Sequence, residues 1–319
     1  MQTPTLFIGV DVASKWLDIS LDDTSTPIRI DNSVSSISAW LKTLPSHCVI
    51  GMEVTSHYHK LLAQQAYAQS LGVFVLNPRD LKHYALGVGR RAKTDKVDAQ
   101  IIRRFISREY LLLRPWKPAT ATQDKITSLF HRRATLIKQK QAIHQSCRDF
   151  GGILQQLSPA IAGIKSLIDE IESLLFNALK DSPETYSRYK AIETIPGVGR
   201  LTSAYLANLF SRTTFTKTDQ VISFLGLDLL FNDSGKKQGK RWLSKRGPSE
   251  ARRLLYNAAM SAARGAFKAM YEHYRAKLCH TQAIVAMMRK LAKIAFGIYK
   301  SGNNFSMDTF NSPLMINNA

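Results

Sequence analysis

Two short apolar runs constrain this chain more than any other feature. Leu6-Phe7-Ile8-Gly9-Val10-Asp11-Val12 and Cys48-Val49-Ile50-Gly51-Met52-Glu53-Val54 both read as buried β-strands, and each carries a carboxylate near its end. A charge closing a buried run needs a partner, a cation or solvent at the sheet edge. If the two strands are neighbours, Asp11 and Glu53 converge at one end of a sheet. Around them, Trp16–Leu21 alternates like a hairpin partner and Pro27–Ile30 offers a third strand. Ser35 or Ser36 is placed to cap a helix bearing Ile37, Trp40, Leu41 and Leu44. A helix from about Tyr58 to Ser70, stopped by Gly72, leads into a strand Val73–Leu76 that Asn77-Pro78 ends. This order predicts an α/β domain with a mixed sheet covered by helices.

A third acidic element is Lys93-Thr94-Asp95-Lys96-Val97-Asp98-Ala99, which opens a helix running over Ala99–Ser107. Asp95 and Asp98 are three apart, so they share a face of the first turn, where the helix dipole also favours anions. Four carboxylates from three elements suit one or two Mg²⁺ ions held through oxygen ligands, as phosphoryl transfer requires. The plainer alternative has Asp95 capping the helix and Asp98 paired with a nearby Lys or Arg.

Composition narrows the partners. Of 319 residues, 44 are Lys or Arg against 24 Asp or Glu, a formal net charge of +20. The excess is clustered: residues 79–148 hold 17 basic against 5 acidic residues, and 236–253 hold 8 against 1. Clustered positive charge is the footprint of a nucleic-acid binder, through phosphate neutralisation and counterion release. A solvated basic face on an ordinary protein is the alternative. No uncharged apolar run reaches the ~18 residues of a bilayer span. The start of the chain lacks a basic n-region, so no secretory signal is expected. Cys48, Cys147 and Cys279 lie far apart, which argues against a disulfide framework or a cysteine zinc site. The expected location is cytoplasmic, on the nucleoid when DNA is bound.

Between about Ala119 and Tyr186 the pattern turns helical. Ile126, Leu129, Arg133, Leu136, Ile137, Lys140 and Ile143 keep helix spacing, as do Ile161, Ile164, Leu167, Ile168, Ile171, Leu174 and Leu175, with Gly151-Gly152 as a break. Two long amphipathic helices suit a coiled-coil arm for self-association, or a helical linker packed on its neighbours. Next, Ile195-Pro196-Gly197-Val198-Gly199-Arg200 followed by small residues is the pattern of a helix-hairpin-helix. Gly197 and Gly199 there would let backbone N–H groups face a phosphate, or simply make a turn. Finally, 232–247 is poor in apolar anchors and rich in Gly and Lys, so a surface loop or ribbon is expected. Ser234 beside Gly235, flanked by Lys236, Lys237, Lys240 and Arg241, is placed to approach a phosphate whose charge the cations stabilise. A lone loop serine is more often a turn former, and spacing alone does not make it a nucleophile.

Taken together, Phe7–Asp11, Met52-Glu53-Val54-Thr55-Ser56-His57-Tyr58 and Lys93–Ala99 resemble the three acidic motifs of the DEDD transposases of the insertion-sequence-110 group. Ile195–Thr202, Phe224–Leu227, Ser234-Gly235, Leu243–Gly247 and Met287–Ala292 with Lys300-Ser301-Gly302 resemble that family's C-terminal transposase domain, in the family's order. The resemblance implies a RuvC-like (RNase H-like) α/β domain over 1–115 and a helical, coiled-coil dimerisation region over 116–186. It further implies a mainly α transposase domain over 187–303, with 304–319 a tail expected to be flexible. Asp11, Glu53, Asp95 and Asp98 would be the Mg²⁺-binding tetrad and Ser234 the nucleophile. Arg90, Arg91, Lys93, Gly197, Gly199, Lys236, Lys237, Lys240, Arg241, Lys245 and Arg246 would contact nucleic acid. The implied partners are donor and target DNA, a guide (bridge) non-coding RNA, and further copies in a homodimer or homotetramer. Two other readings use the same residues: a resolvase-type nuclease with water as nucleophile, and a non-catalytic nucleic-acid-binding protein with structural acids.

Overall fold

The computed structural model describes residues 4–310, apart from 5, 24–25, 55–56, 90–94, 149–153, 232–238 and 240; the side chains of 95–97, 154, 156, 309 and 310 also lie outside the description. The chain forms two compact units, 1–118 and 119–319.

The first unit is built on β1 (Leu6–Val12), β2 (Trp16–Ser20), β3 (Ile28–Asp31), β4 (Cys48–Glu53) and β5 (Gly72–Leu76), in the order β3-β2-β1-β4-β5. β1, β2 and β3 pair antiparallel, whereas β1, β4 and β5 are parallel, so the sheet is mixed as expected. Strand alternation sorts its residues by face. Ile8, Val10, Ile50 and Met52 face α1 (Val34–Leu41) and α2 (His59–Ala68), packing with Ile37, Leu62 and Ala66. Val49, Phe74 and Leu76 face the other way, onto Ile102 and Ile106 of α4 (Asp95–Glu109).

Local details correct several expectations. Ser33, not Ser35 or Ser36, caps α1, its hydroxyl accepting from the Ser36 N–H at 3.3 Å, and Leu44 falls beyond the helix. Ser70, at φ 60°, ends the turn after α2, whereas Gly72 already belongs to β5. Asn77-Pro78 does more than end a strand. Asn77 accepts from the Arg79 N–H at 2.9 Å and Pro78 opens α3 (Pro78–Gly87). Residues 151–152, the expected break, lie outside the described residues.

The second unit is helical. α5 (Ala121–Ser146), opened by a Thr120/Gln123 capping box, packs along α6 (Leu154–Lys180). Both contribute to one core with α7 (Pro183–Glu193), α8 (Arg200–Arg212), α9 (Thr218–Phe224), α10 (Ser249–Arg264) and α12 (His280–Ser301). Small residues on α10 (Ala251, Ala258, Ala259, Ala262) let it lie close to Met287, Leu291 and Ala295 of α12. α11 (Lys268–Arg275) links these two, and α13 (Met307–Phe310) follows. Arg133 is buried between Glu172 at 2.6 Å and Glu250 at 3.7 Å, and Arg253 holds both Glu250 oxygens at 2.6 and 2.7 Å. The start of the expected tail is docked: the Phe305 N–H donates to Thr194 at 2.8 Å and its ring lies 5.8 Å from that of Phe267. Among the described residues no helix is long and apolar enough to cross a membrane.

Candidate active site and nucleic-acid interface

β1 and β4 are adjacent and parallel, with Gly9 opposite Gly51 and Val10 opposite Met52. Asp11 and Glu53 follow directly on that last pair, so two carboxylates leave neighbouring strand ends on one face of the sheet. The paired glycines explain how a helix reaches this face. A Cβ on Gly9 would fall on the Ala99 carbonyl and lie 2.8 Å from the Arg103 Cβ, and one on Gly51 would meet Ile106 at 2.6 Å. α4 therefore rests directly on the backbones of β1 and β4.

Its direction is equally defined. The rings of Phe7 and Tyr110 lie 5.0 Å apart, while Ala99 and Arg103 sit over Gly9. The helix thus runs against β1 and brings its first turn, with Asp98, to the strand ends that carry Asp11 and Glu53. All three acids are half-buried and none is without a partner. The side chain of Asp95 lies outside the described residues, as do Arg90, Arg91 and Lys93. Among the described residues, no three His, Cys, Asp or Glu groups form a metal-sized cluster. The donor set itself, carboxylate oxygens from two strand ends and a helix start, is of the kind a hard divalent cation takes.

Sequence reasoning missed a further acid on this face. Asp18 lies opposite Asp11 in the β1–β2 register and is only 4% exposed. Both its oxygens accept from Arg29, at 2.9 and 2.8 Å, and the Arg29 guanidinium stands 4.9 Å over the Trp16 ring. The fork neutralises Asp18, leaving Asp11 as the strand-end acid. The signal available was an aspartate inside an alternating strand with an arginine on the next one. Beside it, Arg103 and Arg104 grip Asp23 at 2.6 and 3.3 Å. Burial alone would raise the Asp23 carboxyl, but these hydrogen bonds and charges outweigh it and hold the group below its ordinary value.

In the second unit the two hairpin glycines have different roles. Gly197, at φ 85°, presses on α10, and a Cβ there would lie 2.6 Å from the Ala262 nitrogen. Gly199 instead caps α8 with open space where a Cβ would be, and no side chain caps the helix start. Arg200, the next residue, stacks over Phe176 at 4.2 Å.

The expected basic ribbon has described stems. β6 (Leu229–Leu230) and β7 (Trp242–Leu243) pair antiparallel. At their base, Gly226 takes φ 65°, and a Cβ on it would meet the Arg246 and Gly247 nitrogens at 2.7 Å. The Lys245 N–H donates to Gly226 at 3.2 Å, and the Ser244 hydroxyl donates to Asp228. Arg252 ties both sides, donating to the Leu225 and Gly247 carbonyls at 3.1 and 2.6 Å. Lys245 and Arg246 are exposed, and Arg241 stands 4.9 Å over the Phe231 ring. Ser234, Lys236, Lys237 and Lys240 lie outside the described residues.

Residues 8–159 match the family model of the DEDD transposase of the IS110 type, and residues 189–275 match that of the transposase IS116/IS110/IS902 family. The pilin gene-inverting proteins of Moraxella bovis and Moraxella lacunata are 25% and 26% identical over 320 aligned residues, covering 94% of this chain and 97% of each relative. The transposase for insertion sequence element IS1111A of Coxiella burnetii is 25% identical over 60% of the chain and 59% of its own length. Two models of one transposase family thus match consecutive parts of the chain, which belongs to the IS110-type transposases and is a DNA transposase/recombinase enzyme.

Proposed function

We propose that the chain is an RNA-guided recombinase that cleaves and exchanges the DNA strands of a mobile insertion sequence. The observation that carries this reading is the β1–β4 register, which sets Asp11 beside Glu53 under the first turn of α4. The mixed order β3-β2-β1-β4-β5 supports a RuvC-like first unit. Asp11, Glu53, Asp95 and Asp98 would hold Mg²⁺, which when bound supplies charge stabilisation at the scissile phosphate. Ser234 attacks that phosphorus through its hydroxyl oxygen. The serine–phosphorus bond forms, the bond to the 3′-oxygen breaks, and a 3′-hydroxyl leaves for joining to another strand. Arg241, Lys245 and Arg246, with Lys236, Lys237 and Lys240, neutralise phosphates along the strand.

Guide RNA and DNA are the partners this reading requires. The basic stretch 79–148, including Arg90, Arg91 and Lys93, supports phosphate binding, and Gly199 offers backbone N–H groups at the start of α8. Residues 116–186 serve self-association into dimers and tetramers. Leu167 and Leu174, seven residues apart on α6, are 56% and 42% exposed, which supports a coiled-coil contact with another copy. The pilin gene-inverting relatives favour strand exchange that can also invert a segment.

A denaturing-gel assay for covalent protein–DNA adduct tests the reading, with the element's own RNA, labelled donor and target DNA and Mg²⁺. Wild type should form an adduct that requires RNA and maps to Ser234, and Ser234→Ala should form none. Mg²⁺-dependent cleavage without adduct in either protein would replace the recombinase by a resolvase-like nuclease.

A further inference from the structure

The basic ribbon carries two large aromatic side chains that stand largely in solvent. Phe231 is 58% and Trp242 is 48% exposed. Trp242 pairs with Leu230 in the last described rung, and Phe231 and Arg241 flank that rung one step beyond, joined by the 4.9 Å cation–π contact. Strand alternation puts Trp242 on one face of the ribbon and Phe231 on the other. Leu243, in contrast, turns into the core, so the ribbon is anchored below the rings and presents both above the anchor.

The surroundings select the partner. Lys245 and Arg246 are exposed at the base, and residues 236–253 hold 8 basic residues against 1 acidic one. A positive, nearly acid-free strip bearing open aromatic faces matches a polyanion that carries flat rings. Phosphates meet the cations while unstacked bases lie on the aromatics, an arrangement tolerant of sequence. A guanidinium over one ring face leaves the opposite face for a base.

We propose that Phe231 and Trp242 form a base-stacking wedge that holds unpaired bases of the DNA strand engaged by the ribbon. This inference rests on the proposed DNA strand exchange, and it adds positioning residues that neither the tetrad nor the serine supplies. The anchored base, with Gly226, Gly247, Arg252 and the Ser244–Asp228 bond, keeps the rings at a set height relative to the core.

The test uses the full chain, single-stranded DNA, and the same strand with abasic residues, compared by competition binding at constant salt. Wild type should prefer the base-bearing strand by about tenfold for each ring engaged. Phe231→Leu and Trp242→Leu, both at exposed positions, should each lose most of their share of that preference. Their affinity for the abasic strand should stay unchanged, because the cations remain. Equal preference in wild type and the Phe231→Leu/Trp242→Leu double variant would overturn the wedge, as would wild type binding both strands equally. A base preference seen with RNA of the same sequence and absent with DNA would overturn the assignment to DNA. Adduct formation measured on the same proteins separates the two proposals. An adduct without base preference rejects the wedge alone, and base preference without an adduct rejects the serine mechanism alone.

Discussion

The two units use the same device for different ends. In the first, Gly9 and Gly51 lie side by side in adjacent parallel strands, and α4 settles onto their bare backbones. In the second, Gly226 and Gly247 cross at the base of a two-stranded ribbon. The first pair sits in the centre of a five-stranded sheet, so the acids two residues downstream are held from below by the strands and from above by the helix. The second pair anchors strands of two described residues each, and its Phe231 and Trp242 stand out into solvent. The cation site proposed for the first unit needs oxygens fixed on several elements, whereas the strand contact proposed for the ribbon needs a firm root and an accessible surface.

The largest effect should come from the acids. Asp11→Asn or Glu53→Gln should lower DNA cleavage by about 10³-fold or more, since charge stabilisation of several kcal/mol is at stake. Nucleic-acid affinity should change little. Retained cleavage would show that these acids hold no catalytic cation.

Next is the internal ion network of the helical unit. Arg133→Ala takes the cation from Glu172 and from one side of the buried Glu250, which keeps its Arg253 fork, and should destabilise that unit by about 2–3 kcal/mol. Denaturant unfolding followed separately for each unit checks this, and the first unit should be unaffected.

The glycines of the two units should differ in what a methyl group costs. Gly9→Ala pushes a methyl group into the Ala99 carbonyl and should cost about 2–3 kcal/mol, with loss of cleavage as α4 shifts. Gly51→Ala meets side chains rather than backbone, Ile106 at 2.6 and 2.9 Å and Ile102 at 3.3 Å, and should cost less, about 1 kcal/mol. Equal costs would show that α4 is not seated as described. In the ribbon, Gly247→Ala crowds the Phe224 carbonyl and should weaken single-stranded DNA binding while leaving Mg²⁺ binding intact.

The smallest effect concerns pH. Burial in the helical core, with the nearby Glu250 charge adding to it, pushes the Tyr205 hydroxyl up to about 12. A pKa raised in the folded state contributes stability that is present below the ordinary value of 10 and lost as pH rises from 10 towards 12. Tyr205→Phe should flatten that part of the melting-temperature profile of the second unit.

Much of this was legible in the residues. Apolar runs bounded by turn residues revealed β1, β4 and β5, and Asp11 and Glu53 stood out because a carboxylate in a buried run needs a partner, a cation or solvent. The glycines were legible only in part. Gly197 and Gly199 share one motif, yet one packs on α10 and the other is open, a distinction made by a helix about sixty residues away in sequence. The same holds for Gly9 and Gly51, whose meaning depends on which helix crosses them. Asp18 was missed although both strands were expected, because only the β2–β3 register sets Arg29 opposite it. α3 was missed although Asn77-Pro78 carried both a cap and a first-turn proline.

The proposed function requires that Asp11, Glu53 and the first turn of α4 form one cation site. The most direct measurement is thermal unfolding of the full chain with and without Mg²⁺, for wild type, Asp11→Asn and Asp18→Asn. Binding to the folded state alone raises the melting temperature. Wild type should show a Mg²⁺-dependent rise, as should Asp18→Asn, whose acid is already paired with Arg29, and Asp11→Asn should show none. An undiminished rise in Asp11→Asn would contradict that site.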